Sequence, residues 1–130
     1  MEERKKKMEL FQYFQSIIDQ DSCPIVICNL EHTILYMNPT AITRYAKRGG
    51  EKLVGKNLLD CHKKQSKEQI QKVLLWFQES KEHNRIYTFY NKKENKNVYI
   101  IALRDKTGTL IGYYEKHEYR TKETKEYYHY

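Results

Sequence analysis

Apolar positions in the first twenty residues recur with helical spacing. Leu10, Phe11, Phe14, Ile17 and Ile18 fall on one stripe, with Lys and Gln opposite. The pattern predicts an amphipathic helix over 2–20 that stops near Asp21 and Ser22, because Pro24 disfavours α conformation in the residue before it. From Pro24 the period changes. Residues 24–30 form a short run apolar on both faces, as in a well-buried strand. A polar turn at Glu31 and His32 leads into a second strand over 33–37. Asn38 and Pro39 break that strand, and Pro39 is placed as the first residue of a helix reaching about Lys47.

The middle of the chain is helical in pieces. Residues 51–57 and 58–62 read as short irregular turns, with Gly55 permitting a sharp bend between them. Ser66 is the expected N-cap of a longer helix, with Gln69 three places on as in a capping box. Ile70, Val73, Leu74 and Phe77 mark one face of it, to about Lys81. The last third, rich in Tyr, Ile, Val, Phe and Thr, predicts strands over 85–92, 97–104 and 109–119. Lys93–Lys96 is the expected polar loop and Asp105–Gly108 the expected tight turn. This order predicts an α+β fold, a five-stranded antiparallel sheet with helices on one face and an additional N-terminal helix. A pocket should lie between the helices and the sheet.

Composition narrows the class. The chain has 130 residues, 39% apolar and 13% aromatic, which suits a single globular domain. No apolar run approaches the ~20 residues a membrane span requires, and the basic start is not followed by the apolar core of a signal peptide. Cys23, Cys28 and Cys61 are an odd number without CxxC spacing, read as reduced thiols in the cytoplasm. Lys and Arg number 24 against 17 acidic residues. No helix-turn-helix spacing, RNP-like run or arginine cluster accompanies that charge, so it reads as solubilising and not as a nucleic-acid interface.

Three segments, in order, resemble a PAS domain. Residues 25–39 resemble the opening hairpin with its Leu-Tyr-x-Asn-Pro close. Residues 51–57, Glu-Lys-Leu-Val-Gly-Lys-Asn, resemble the Gly-Lys step of the short PAS helices. Residues 104–112, Arg-Asp-Lys-Thr-Gly-Thr-Leu-Ile-Gly, resemble the last hairpin. The Leu-Leu-Asp-Cys-His at 58–62 suggests a bacterial subgroup. The resemblance divides the chain into an N-terminal helix (1–21), a PAS-like domain (22–121) and a charged, Tyr-rich tail (122–130). The first turn lacks the usual Gly, and 118–121 replaces the usual Asp-Ile-Thr exit.

The resemblance implies a sensory module that binds a small molecule, associates as a homodimer and addresses a signalling partner. Ile27, Tyr36, Ile42, Leu58, Ile70, Leu74, Phe89, Ile101 and Leu103 are the candidate pocket residues. The candidate dimer surface is Leu10, Phe11, Phe14, Ile17 and Ile18. An alternative is a haem-binding redox or gas sensor with His62 as axial ligand and Cys61 as a redox-dependent one. Another is an interaction domain with a filled core. Residues 59–64 do not carry the flavin signature of photoreactive PAS domains. Catalysis by a Cys61–His62 thiol lacks a third orienting residue, so no enzyme activity is expected. Zinc lacks paired ligand spacing. His32, His117 and His129 are expected at the surface.

Overall fold

The computed structural model describes residues 2–61 and 63–130. Helix α1 spans Glu2–Asp19, and two short strands follow, β1 (Val26–Asn29) and β2 (Ile34–Met37). The short helix α2 (Pro39–Arg44) is succeeded by 3-10 turns at 46–48, 50–53 and 58–61, and then by α3 (Lys64–Glu79). Strands β3 (Arg85–Asn91), β4 (Lys96–Arg104) and β5 (Leu110–Tyr119) complete the chain. Residues beyond Tyr119 are irregular and exposed.

All strand pairs are antiparallel, in the order β2-β1-β5-β4-β3. The first hairpin therefore docks on β5 through β1, and the helical segment crosses one face of the sheet between β2 and β3. Gly112 permits the β1–β5 junction: a Cβ there would lie 2.2 Å from the Cys28 carbonyl oxygen. The core lies under the helical segment, where Val73, Leu74 and Phe77 of α3 pack with Ile34, Met37, Ile100 and Tyr113.

The break at Asn38 has a larger role than a stop signal. Asn38 is fully buried. Its Oδ1 accepts from the backbone N–H groups of Ile25 and Ala41, both at 2.9 Å. Its Nδ2 donates to the carbonyls of Ile18 and Cys23, both at 3.0 Å. One side chain thus caps α2 and ties it to the end of α1 and the linker before β1.

Two local expectations differ from the structure. Helix α3 starts at Lys64, so Ser66 lies inside its first turn, and Lys63 at the N-cap makes no side-chain cap. Lys64 and Gln65 are good helix formers, and propensity extends the helix past the capping signal. Lys96, expected in a solvated loop, begins β4 and is 1% exposed. Its ammonium reaches Glu94 at 3.1 Å, which makes that burial tolerable. The glycine missing from the first turn is replaced by His32, which adopts a positive φ of 67°. Asn29 Oδ1 steadies that turn by accepting from the N–H groups of Glu31 and Thr33.

Candidate functional site

A cavity of about 280 Å³ lies between the sheet and the helical segment. Such a volume falls at the small end of ligand pockets, roughly 300–1,000 Å³. Its apolar wall comes from Val26, Ile34, Met37, Leu53 and Ile100, with Leu58 and Ile70 closing it from the helical side. Its polar wall is formed by Arg44, Tyr45 and Arg48 from α2 and the following turn. Asn91 of β3 and Tyr113, Glu115 and His117 of β5 complete that wall. A second groove, about 400 Å³, shares Ile70, Phe89, Ile100 and Glu115 with the cavity and runs between α3 and β3.

Of the nine residues expected in the pocket, Leu58, Ile70 and Phe89 line the cavity. Ile42 and Leu74 pack in the core beside it. Ile27, Tyr36, Ile101 and Leu103 lie on the opposite face of the sheet. Ile27 pairs with Tyr36 and Tyr114, whereas its neighbours Val26 and Cys28 face inward. The Tyr36 hydroxyl donates to Asp19 of α1, outside the cavity. Ile101 and Leu103 alternate with Ile100 and Ala102, which pack on the core. Strand β4 is apolar on both faces, so its period of two does not announce which set is inside.

His117, expected at the surface, is a buried wall residue. Its side chain is 3% exposed, with Nε2 3.0 Å from Glu115 Oε1. Its Nδ1 is buried and has no hydrogen-bond partner among the described residues. Sequence alone held one signal for this: Tyr113, Glu115 and His117 share a face in a strand.

Beside it, Glu94 accepts from Arg44 through both oxygens at 2.9 Å and from Lys96 at 3.1 Å. The hydrogen bonds from Lys96, then Arg44, hold its carboxyl below the usual carboxylate range. This clamp joins the β3–β4 loop to α2.

At the opposite end of the cavity the Tyr113 hydroxyl meets His32 Nδ1 at 2.8 Å. Burial pushes the Tyr113 phenol up and lowers His32 below the ordinary histidine value, so the pair is neutral at physiological pH. Burial also pushes the adjacent Cys28 thiol up to about 11. Cys28 is therefore a protonated core thiol rather than a nucleophile. Cys23 is buried, and its thiol is raised chiefly by that burial.

Among the described residues, no group of His, Cys, Asp and Glu could hold a metal ion, and no helix is long and apolar enough to cross a membrane. His62 lies outside the described residues, as does the side chain of Cys61. The cavity wall as described does not fit a haem. Its volume is small for a macrocycle.

The apolar stripe of α1 is uncovered. No residue of α1 is buried. Leu10, Phe11, Phe14 and Ile17 are between 51% and 72% exposed, and Ile18 is half-buried.

Comparison with known proteins agrees with this architecture. The model of a PAS domain family matches residues 22–115. The fold is similar to a C-terminal domain from Streptococcus mutans, with TM-score 0.64, 19% identity and 83% of each chain covered. It is also similar to a PAS domain from Colwellia psychrerythraea, with TM-score 0.61, 16% identity and coverage of 84% of this chain and 94% of that one. A sensory box sensor histidine kinase from Vibrio cholerae matches with TM-score 0.55 and 16% identity, covering 87% and 94%. No protein of curated function matches the chain in sequence.

Proposed function

The chain belongs to the PAS domain family, and on that premise we propose that it is a sensory module taking a small, colourless organic molecule into the cavity and answering through α1. The observation that carries this reading is the cavity itself. It pairs an apolar wall with converging polar groups, one of them a buried imidazole nitrogen without a partner among the described residues. Apolar contact supplies affinity in such sites, and a few placed polar groups supply orientation. A filled interaction domain has no use for an orphaned polar atom in its core.

The test is a thermal-unfolding screen against small metabolites, followed by methyl NMR. A ligand of the folded state raises the melting temperature by mass action and shifts the signals of Ile34, Met37 and Ile100. A screen in which neither changes leaves an interaction domain without ligand. A visible spectrum taken before and after adding haem separates the haem alternative. A Soret band that disappears in His62→Ala would assign haem to His62 and displace the colourless ligand.

The output runs through a second copy of the chain. Four large apolar residues exposed on one helical stripe suit a partner with the same stripe, as in an antiparallel or parallel helix pair. Light scattering on wild type should give a dimer, and Phe14→Glu should give a monomer at the same concentration. A dimer that survives the substitution puts the interface elsewhere.

A further inference from the structure

The polar end of the cavity specifies what kind of molecule it takes. This inference rests on the cavity being a ligand site and goes on to the chemistry of the ligand. The wall and its ion-pair partners hold three basic side chains, Arg44, Arg48 and Lys96. They also hold two carboxylates, Glu94 and Glu115. Arg44 and Lys96 share Glu94, and Glu115 is engaged by His117. The Arg48 side chain has no hydrogen bond or ion pair among the described residues, and its guanidinium offers five donors. One positive charge is left uncompensated at the cavity wall.

His117 defines the second contact. A carboxylate only accepts, so the hydrogen between His117 and Glu115 belongs to Nε2. Nδ1 then accepts in the neutral ring and donates in the imidazolium. A carboxylic acid satisfies both states. It donates its O–H to the neutral ring, and as a carboxylate it accepts from the charged one. A phosphate monoester carries roughly two charges near neutral pH, more than the single cation it would meet.

Size sets the rest of the molecule. At about 30 Å³ per water, 280 Å³ corresponds to roughly nine water-sized atoms. The remaining wall is apolar, formed by Ile34, Met37, Leu53 and Ile100. We infer that the ligand is a monocarboxylic acid of about ten heavy atoms in all, its head between Arg48 and His117 and its apolar body against that wall.

Octanoate and octanol share a chain length and differ in the head, so calorimetric titration of the full chain with each tests the inference. Octanoate is expected to bind at least about tenfold more tightly, the worth of one charge-assisted hydrogen bond. Arg48→Gln should remove about that factor for octanoate and leave octanol unchanged, and His117→Phe should weaken octanoate by a similar factor. Arg48 is exposed, so its variant keeps the fold if His117→Phe does not. Equal binding of octanoate and octanol, or octanoate binding indifferent to Arg48→Gln, overturns the carboxylate inference and leaves the cavity as a ligand site. If neither molecule binds or shifts the Ile34, Met37 and Ile100 methyl signals, the cavity reading falls together with it.

Discussion

Arg104 and Arg48 border the same layer between sheet and helices, yet the protein uses them differently. Arg104 is completely engaged. Its Nη2 donates to the carbonyls of Phe77, Ser80 and His83, its Nη1 to Gly108, and its Nε to Asn84 Oδ1. It closes the C-terminal end of α3, where helix carbonyls lack intrahelical partners and the helix dipole is negative. Around it Phe77 is fully buried and Trp76 stacks on His83 at 4.0 Å. At the cavity end, Arg48 and His117 Nδ1 have donors or lone pairs to spare. The same side-chain chemistry fastens the structure where every group is matched, and has donors and lone pairs to spare, among the described residues, where groups are left over.

The largest expected effect comes from exchanging the two arginines' fates. Arg104→Gln leaves several carbonyls without a cationic donor and should cost about 3 kcal/mol in urea unfolding. Arg48→Gln should stay within about 0.5 kcal/mol of wild type, as surface substitutions do. Similar losses for both would erase the distinction.

A smaller effect separates stability from binding at His117. Phe in its place removes a buried nitrogen without a partner among the described residues, and Glu115, 42% exposed, can turn to water. We expect His117→Phe to be neutral or more stable by about 1 kcal/mol. A destabilised variant would mean that the imidazole is a structural group like Arg104.

The smallest effect concerns acid. Glu94 is depressed by Lys96 and Arg44, so its contribution is complete above the unfolded-state pKa and is lost as pH falls through the lower folded value. Glu94→Gln should therefore be less stable than wild type near neutrality and converge with it below the usual carboxylate range. A constant gap down the acid titration would show that the clamp adds nothing through charge. Because Glu94 is partly exposed, the gap is expected to be small.

Much of the fold was legible because its signals are local. The helical stripe of α1, the Asn38–Pro39 stop and the Gly108 turn each determine a short stretch, and the order of elements then restricts the sheet. The cavity was legible only in part. Leu58, Ile70 and Phe89 line the cavity, whereas Ile27, Tyr36, Ile101 and Leu103 lie on the other face of the sheet. Alternation separates two sets of residues without saying which is inside when both are apolar. His117 and Lys96 escaped for a related reason. Burial of a polar side chain depends on a partner supplied by tertiary or loop geometry, here Glu115 and Glu94. Asn38 was visible as a break, but not as the junction of three segments.

That junction has a mechanical consequence. Helix α1 has 18 residues and is about 27 Å long. Its C-terminal carbonyl at Ile18 is held by the same Asn38 that caps α2, one residue after Met37 on the cavity wall. If α1 turns about Asn38, its short arm lies at the cavity and its long arm ends near Glu2. A tilt of about 5° at Asn38 would carry the far tip through roughly 2 Å, by the rise of the helix. Displacements too small to notice in the wall would then be magnified at the far tip of α1.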